Sequence, residues 1–372
     1  MHSAVTAVPF LDLTEEYGEL EAEWLAGIRE TGARGSFVLG PNVSAFEQEA
    51  ASYIGARHAV AVANGTDALV LSLRALGIGP GDEVITTPFT FFASAEAISL
   101  VGATPVFADI RADSFNIDAD SVRERVTGKT RAILPVHIFG HPAEMDAIMA
   151  VAGEHGLAVI EDCAQAFGAT AGGARVGSIG DTGCFSFYPT KVLGCYGDGG
   201  MITTNSSEIA EHLRKLRNHG ATRPFIHDEI GANSRLDEIQ AALLRIKLRR
   251  IDEAIAGRRK VAAEYTRRLA GSAVIPPSMP VEDIHVFNLY TLRTGERERL
   301  RGWLTENGVG TALCYPQGLH LQEVYRLLGC REGDLPVAEQ ASREALSLPI
   351  YPGMPQAHID RVCELLLGPE AG

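Results

Sequence analysis

The sequence is poor in lysine, and this scarcity marks one position out. Only five of the 372 residues are lysine, whereas Lys and Arg together number 33, so arginine supplies most of the positive charge. Lys191 differs from the other four, because no other charged residue occurs between Asp181 and Asp198. The other four have an arginine within three residues and lie in polar segments that we expect at the surface: Lys129, Lys215, Lys247 and Lys260.

Other absences exclude several classes of protein. The formal net charge is −14 at pH 7, which disfavours a nucleic-acid partner because phosphate backbones attract basic surfaces. Gly and Pro interrupt the apolar runs, so we expect no membrane span. The start of the chain is acidic and is not typical of a signal peptide.

The six cysteines and 11 histidines indicate neither a disulfide framework nor a metal centre. No two cysteines form a close pair, and we interpret them as reduced thiols of a cytoplasmic protein. No two histidines with nearby carboxylates have the spacing of metal ligands, so we predict no metal site. We expect His137, near a strand end, to be a satisfied residue of the core or of a site wall.

The order of apolar and polar segments predicts an α/β fold. From His58 onward, short apolar strands alternate with helical segments as far as 161, which is typical of a mostly parallel central sheet flanked by helices. Strands are expected at 58–63, 83–87, 105–108, 132–136 and 158–161. In such sheets ligands bind at the carboxyl ends of the strands.

The length of the chain predicts a second, smaller domain, because 372 residues exceed the usual size of one hydrophobic core. A long helical tract is expected over 235–269, and we place the boundary along it. This divides the chain into a large domain, 1–245, and a small C-terminal domain, 246–372. A strand at 288–293 and helices at 297–306 and 337–346 predict that the small domain is α+β.

Lys191 lies in an uncharged segment, 186–200, that is rich in glycine and aromatic residues. A partly desolvated lysine can lose its proton, which arginine cannot, and this is the basis of Schiff-base chemistry. We therefore interpret Lys191 as an amine that reacts with a carbonyl group. The alternative is a lysine on a loop that points into solvent.

The segment Asn64-Gly65-Thr66-Asp67 is predicted to open a helix directly after a strand. The free N–H groups of a helix start, with a glycine that permits close approach, suit a phosphate. The helix dipole contributes only about 0.3–1 kcal/mol at an exposed site, so further donors are needed, and Ser186 is a candidate. The alternative is that Asn64 or Thr66 simply caps the helix.

Asp162 follows the apolar run 157–160, which places a carboxylate at the end of a buried strand. An unpaired charge is costly there, so we expect a cationic or hydrogen-bonding partner. A protonated pyridine nitrogen would serve, since an Asp at that nitrogen tunes a cofactor with such a ring as an electron sink. The alternative is an Asp that caps the next helix. Gln165 is expected to face the same site or solvent.

Together these segments resemble the nucleotide-sugar aminotransferases of the DegT/StrS family. Those enzymes depend on pyridoxal phosphate (PLP) and have the aspartate-aminotransferase fold (type I). The resemblance extends from 37–41 to 346–349 and thus over nearly the entire chain. Five motifs carry it in order: 63–69, 88–91, 161–165, 186–200 and 233–237.

The resemblance implies a role for each matching residue at a PLP site. Lys191 matches the lysine that binds the cofactor covalently and then moves the proton, Asp162 the carboxylate at the pyridine nitrogen, and Gln165 the residue at the ring hydroxyl. Phe91 matches the aromatic side chain that stacks on the ring. The remaining matches are to ligands of the cofactor phosphate: Gly65, Thr66 and Ser186.

Three further residues extend the resemblance to the neighbouring subunit and to the substrate. Asn233 matches a phosphate ligand donated by the neighbouring subunit, which implies a homodimer with shared active sites. Tyr315 and His320 lie in a segment similar to the family's substrate-facing loop. The match is imperfect there, because family members often have His or Tyr at the position of Cys314.

The activity implied is transfer of an amino group from L-glutamate, through pyridoxamine phosphate (PMP), to a keto group of a nucleotide-linked sugar, with ping-pong kinetics. The segments 87–91 and 285–288 look closer to members that act on 3-oxo sugars. We expect a UDP-linked 3-oxo acetamido uronate first and a dTDP-linked 3-oxo-6-deoxyhexose second. The alternatives are a sugar dehydratase of the same fold, in which histidine replaces the lysine, and a non-catalytic sensor. No dinucleotide fingerprint supports an NAD enzyme.

Overall fold

The computed structural model describes residues 7–368. In the first part of the chain the elements are α1 Thr14–Arg34, α2 Pro41–Ile54, β1 His58–Val62, α3 Gly65–Ala75, β2 Glu83–Thr86, α4 Ala93–Leu100, β3 Thr104–Phe107, α5 Ala119–Glu124, β4 Thr130–Leu134, α6 Met145–His155 and β5 Ala158–Asp162. After these come β6 Thr170–Ala171, β7 Ala174–Arg175, β8 Thr182–Ser186, β9 Gly200–Thr204, α7 Ser207–Leu216, β10 Ala221–Arg223, β11 Ile226–His227, α8 Glu238–Leu248, α9 Ile251–Leu269, β12 Tyr290–Arg293, α10 Arg297–Glu306, α11 Pro336–Glu344, β13 Ala345–Leu348 and α12 Gln356–Leu367.

Seven strands form the central sheet, in the order β1-β9-β8-β5-β4-β2-β3. Strands β3, β2, β4, β5 and β8 pair in parallel, whereas β9 runs antiparallel to both of its neighbours, β8 and β1. The prediction of a mostly parallel sheet is therefore confirmed. Because only β9 is reversed, the carboxyl ends of the other six strands meet at one edge of the sheet.

Successive residues of each strand pack into different cores, as the two-residue period of a strand requires. In β1, for example, Ala59 and Ala61 belong to one buried cluster, whereas Val60 and Val62 belong to another. The first cluster includes residues of α2 and α6, and the second includes residues of α3 and α4. Helices thus cover both faces of the sheet.

A third buried cluster unites the start of the described chain with its C-terminal part, from Val8 to Leu366. Helix α9 passes between clusters, since Ile255 belongs to the first and Val261 to the third. Strands β12 and β13 pair antiparallel within this part. These contacts show where the packing changes, and the division into 1–245 and 246–372 remains a prediction.

Two expected helices are wrong in extent. The tract 235–269 is two helices, α8 and α9, separated at Arg249 and Arg250. Neither proline nor glycine marks this break, so the apolar periodicity runs through it. The helix expected over 337–346 ends at Glu344, and Leu346 lies in β13, where it is fully buried.

The expectation for Lys247 is also wrong, because this lysine is buried instead of exposed. Its Nζ atom donates to the carbonyl of Gly194 at 2.8 Å and forms an ion pair with Glu16 at 2.7 Å. Among residues 7–368, no helix has the length and apolar character needed to span a membrane.

Candidate active site

Gly65 and Ser186 come together at the carboxyl edge of the sheet, where β1 leads into α3 and β8 ends. A Cβ atom on Gly65 would lie 2.7 Å from the Cβ of Ser186 and 3.2 Å from its Oγ. Only glycine therefore permits this approach, which brings a helix start and a hydroxyl to one place. Two of the predicted phosphate ligands are thus neighbours.

Asn64 caps α3, because its Oδ1 accepts the N–H of Asp67 at 2.8 Å. The capping alternative therefore holds for Asn64. Thr66 instead lies in the first turn of the helix, where N–H groups lack partners within the helix. Its hydroxyl makes no hydrogen bond within the described part of the chain. This start of α3 has the donors that a phosphate requires.

Asp162 ends β5 and is buried. Its Oδ2 accepts from the hydroxyl of Ser94 at 2.8 Å, and its Oδ1 accepts the N–H of Ala164 at 3.1 Å. The second contact lies within a turn, and no helix begins after β5, so the helix-capping alternative does not describe Asp162. Burial raises the pKa of the Asp162 carboxyl, while these two donors and the nearby Lys191 oppose the rise.

Ser94 is in turn 3.0 Å from the hydroxyl of Thr90. A hydroxyl has one proton, so when Ser94 donates to an ionised Asp162, Thr90 is the donor to Ser94. Neither residue was predicted as part of the site. The motif 88–91 includes Thr90, but nothing in the sequence indicates that a helix residue, Ser94, points at a strand end.

Lys191 is half-buried in the loop between β8 and β9. Burial lowers the pKa of its amine, and the Asp162 carboxylate and the Cys314 thiol act in the opposite direction. Both groups are therefore electrostatic neighbours of the lysine. A lowered pKa provides a larger uncharged fraction near neutral pH, which is the form that attacks a carbonyl carbon. The solvent-lysine alternative does not describe this residue.

Gln165 is fixed in one orientation between two elements. Its Oε1 accepts the N–H of Phe139 at 2.6 Å, and its Nε2 donates to the hydroxyl of Tyr315 at 3.1 Å. The Tyr315 ring stacks on Phe139 and meets Phe89 edge-on. Burial raises the pKa of the Tyr315 phenol. The structure therefore brings Gln165 and Tyr315 together, although they are 150 residues apart.

Phe91 and Asn233 are both exposed. Phe91 is 61% exposed and lies two residues before the start of α4. Asn233 is next to Ser234, whose Oγ accepts the N–H of Ala63 at 3.1 Å. Within residues 7–368, the Asn233 side chain makes no hydrogen bond to Lys191 or Asp162. Their roles at a cofactor remain predictions.

His320 is buried, and its Nε2 is 3.2 Å from the carboxylate of Glu339 in α11. Its ring is near that of Phe107 in β3. These contacts support a packing role, and the predicted contact with a substrate has no support from them.

The only cluster of possible metal ligands found among the described residues is His137, Glu161 and Cys163. Glu161 accepts the N–H groups of Gly177, Ile179 and Gly180 at 2.8–2.9 Å, and it is 3.1 Å from His137 Nε2. His137 Nδ1 accepts a further N–H at 3.0 Å. Both groups already have their partners, so the cluster is a satisfied buried network, as expected for His137.

The fold and these residues define a class of protein. One strand of the sheet ends in a buried aspartate, and the loop after the neighbouring strand carries a desolvated lysine. This is the architecture of the PLP-dependent aminotransferases. Comparison with solved structures supports this fold. The chain belongs to the DegT/DnrJ/EryC1/StrS aminotransferase family, whose model matches residues 19–367.

Relatives of similar length differ in their names. A "Pleiotropic regulatory protein" of Geobacillus stearothermophilus is 48% identical, over 96% of this chain and 97% of its own. A dTDP-3-amino-3,4,6-trideoxy-alpha-D-glucose transaminase of Streptomyces venezuelae is 46% identical, over 96% and 94%. A UDP-2-acetamido-2-deoxy-3-oxo-D-glucuronate aminotransferase of Pseudomonas aeruginosa is 41% identical, over 96% and 99%.

Two solved structures superpose closely. The S. venezuelae protein DesV, in complex with a ketimine intermediate, has a TM-score of 0.94 and 46% identity, with 97% of both chains covered. The Bacillus subtilis protein NtdA, with bound cofactor PMP, has a TM-score of 0.92 and 30% identity, with 98% of this chain and 85% of the other covered.

Proposed function

We propose that this protein is a PLP-dependent aminotransferase that moves an amino group from L-glutamate to the 3-keto group of a nucleotide-linked sugar. The observation that carries the proposal is the position of two groups at the carboxyl edge of the sheet: the buried Asp162 carboxylate ends β5, and the Lys191 amine lies in the loop after the neighbouring strand, β8. The names of the transaminase relatives support the reaction.

The residues fit PLP in three respects. The close approach of Gly65 to Ser186, which a Cβ on residue 65 would prevent, places the Ser186 hydroxyl beside the start of α3, whose N–H groups can donate to the phosphate. The buried Asp162 carboxylate lacks a cation partner within ion-pair distance among the described residues, and a protonated pyridine nitrogen would supply one. The exposed Phe91 ring is available to stack on the cofactor.

Within this proposal the cofactor supplies an electron sink and carries the amino group between the two substrates. Lys191 Nζ would hold the cofactor at its carbonyl carbon and, once released, would take a proton from Cα of the donor. Asp162 would keep a proton on the pyridine nitrogen. Gln165 and Tyr315, joined by their mutual hydrogen bond, would orient the ring.

The 3-oxo position is the finer part of the proposal. The S. venezuelae and P. aeruginosa relatives differ in their nucleotide, but both names place the nitrogen or the oxo group at carbon 3. Both expected substrates, the UDP-linked 3-oxo acetamido uronate and the dTDP-linked 3-oxo-6-deoxyhexose, share that carbon. The proposal therefore commits to the oxo position, with the UDP sugar first.

We also propose a homodimer that works in the cytoplasm. The exposed Asn233 would then complete the phosphate site of the partner. The six free cysteines are compatible with a reducing compartment, where thiols persist unpaired.

The test is a half-reaction. The purified enzyme is converted to its PMP form with L-glutamate, the excess is removed, and 3-oxo and 4-oxo nucleotide sugars are added separately. Return of the aldehyde absorbance with the 3-oxo sugars alone is expected. Return of the absorbance with only the 4-oxo sugars would overturn the assignment of a 3-oxo substrate. Failure of L-glutamate to change the spectrum would overturn the proposal of aminotransferase activity.

A regulatory function is the second candidate, because one relative bears the name of a pleiotropic regulatory protein and another that of a sensory transduction protein. The presence of both Lys191 and Asp162 favours a catalytic function over a sensory one. A sugar dehydratase is disfavoured, since position 191 is lysine. Turnover of a nucleotide sugar with glutamate in the half-reaction would exclude a purely regulatory protein.

A further inference from the structure

The segment 313–318, which carries Tyr315, has little support from its own main chain. Among residues 7–368, none of its N–H groups donates to a main-chain carbonyl. The main chain is instead held at the two ends of the segment. At the first end, Ala312 and Ser347 exchange main-chain hydrogen bonds at 3.1 and 2.9 Å. The position of the Tyr315 ring therefore depends on how firmly the second end is fixed.

At the second end, the main chain of Leu319 and the side chain of His320 make separate contacts. The Leu319 N–H donates to the carbonyl of Pro88 at 2.8 Å. The His320 ring is buried, and its Nε2 is 3.2 Å from Oε1 of Glu339. Because an ionised carboxylate only accepts hydrogen bonds, Nε2 is the donor. The side chain of His320 thus ties this end of the segment to α11.

Helix α11 is itself attached to the edge of the central sheet. The N–H groups of Val337 and Ala338 donate to the carboxylate of Asp109, at 3.0 and 2.8 Å. Asp109 lies two residues after the end of β3. The carboxylate of Glu339, one residue further along α11, is therefore fixed relative to the sheet. A hydrogen bond to it fixes His320 in the same way.

The ring of His320 fits closely against the main chain of Gly318. A Cβ on residue 318 would lie 2.7 Å from Cε1 and 2.8 Å from Nδ1 of His320. Nδ1 is buried and has no hydrogen-bond partner within the described part of the chain. The bond from Nε2 to Glu339 is therefore the one polar contact that the ring makes there. A ring enclosed in this way supports its neighbours and does not meet a substrate.

We propose that His320 is a positioning residue: its bond to Glu339 sets the place of Tyr315, and Tyr315 in turn orients Gln165. The Tyr315 hydroxyl accepts from Gln165 Nε2 at 3.1 Å, so a shift of the segment moves the partner of that amide. The inference rests on the proposed function, in which Gln165 and Tyr315 orient the cofactor ring. His320 acts on the reaction without contact to substrate or cofactor.

Two substitutions separate the hydrogen bond of His320 from its packing. His320→Leu fills the site but removes the donor, whereas His320→Gln keeps an N–H group that can reach Glu339. In the full-length enzyme with PLP bound, kcat/KM for the glutamate half-reaction should fall roughly 10- to 100-fold in His320→Leu, because small errors of position are costly in catalysis. His320→Gln should recover most of this loss.

The absorbance of the bound cofactor gives a second measurement on the same variants. The pH at which it titrates should shift in His320→Leu and return in His320→Gln, which a general loss of stability would not cause. Thermal unfolding checks the folding of both variants. An equal loss of kcat/KM in the two variants would overturn the proposal.

A double-mutant cycle tests whether His320 acts through Tyr315. Tyr315→Phe keeps the ring and removes the hydroxyl that accepts from Gln165. Because coupled residues are not additive, His320→Leu should lower kcat/KM by no more than about twofold in the Tyr315→Phe background. Additive losses in an enzyme that reacts with L-glutamate would overturn the role of His320. A wild-type enzyme that does not react with L-glutamate would overturn the proposed function, and this role with it.

Gly318→Ala displaces the ring while both partners of the hydrogen bond stay in the chain. Its Cβ would meet His320 Cε1 at 2.7 Å, so we expect a loss of kcat/KM and a shift of the absorbance titration in the same direction as in His320→Leu. The matched control is Gly302→Ala in α10, where a Cβ meets nothing within 4 Å, and it should change neither. Wild-type behaviour of Gly318→Ala would overturn the proposal.

Discussion

The hydroxyl of Ser94 donates to Asp162 Oδ2 at 2.8 Å and thereby joins the start of α4 to the end of β5. Thr90 holds Ser94 in turn, at 3.0 Å. Asp162 is buried, and burial raises the pKa of its carboxyl. The Ser94 donor counteracts that rise, so it helps to keep the carboxylate charged where a pyridinium partner would need it.

Substitution Ser94→Ala tests this relationship. A hydrogen bond to a charged group contributes about 1.5–3 kcal/mol, so kcat/KM for the glutamate half-reaction should fall roughly 10- to 100-fold. The absorbance of the bound cofactor should also titrate at a different pH, which a purely structural loss would not cause. Thr90→Val is the control and should have a smaller effect in the same direction. An unchanged pH titration in Ser94→Ala would contradict the assignment.

Gly65→Ala tests the phosphate cradle. The new Cβ would lie 2.7 Å from the Cβ of Ser186, and overpacking of this kind costs about 1–3 kcal/mol. We expect a lower free energy of unfolding and weaker binding of PLP, measured by fluorescence titration of the cofactor-free protein. Gly18→Ala in α1, where a Cβ meets nothing within 4 Å, should bind PLP normally. Wild-type affinity in Gly65→Ala would exclude the cradle.

The pH dependence of Lys191 can be measured without the cofactor. Because burial lowers the pKa of its amine below the ordinary value of 10.5, Lys191 should react with a small acylating reagent at lower pH than the exposed Lys129. The Asp162 carboxylate raises the amine's pKa, so Asp162→Asn should move the Lys191 curve to still lower pH. Peptide mass spectrometry gives both curves in one sample. A shift to higher pH in Asp162→Asn would contradict the electrostatic coupling.

The shared-site proposal predicts complementation between two inactive variants. Lys191→Ala lacks the reactive amine, and Asn233→Ala lacks the phosphate ligand proposed for the partner. A mixed dimer contains one intact site if Asn233 acts across the interface, so mixing after unfolding and refolding should restore part of the activity. Each variant refolded alone is the control. If the mixture stays inactive although mixed dimers form, Asn233 does not act across an interface.

The fold was predictable because each sequence signal acts locally. The turn at Asn64 and Gly65 follows directly from a strand that ends and a helix that begins, and Asp162 follows an apolar run. The carboxyl ends of parallel strands share one edge of a sheet, so these residues could be expected to meet. The break between α8 and α9 was not predictable, because the apolar period continues across it.

The parts of the site in which a motif lies at a strand end could be predicted from the sequence. Contacts between residues that are far apart in the sequence could not be predicted. Gln165 and Tyr315 were both named, but their hydrogen bond depends on how the C-terminal part packs on the sheet. Ser94 has ordinary helical surroundings in the sequence. Its importance comes from burial, which leaves its hydroxyl next to the Asp162 carboxylate.

The pairing of Ser186 with Gly200 in β8 and β9 has a consequence for the lysine between them. The two ends of its loop are joined by the sheet ladder, so residues 187–199 form a ring closed by the main chain of the core. The pairing of the two strands offsets the entropic cost of closing this loop. The side chains of the loop can therefore differ between enzymes with different substrates, while the main-chain position that carries the Lys191 amine stays fixed.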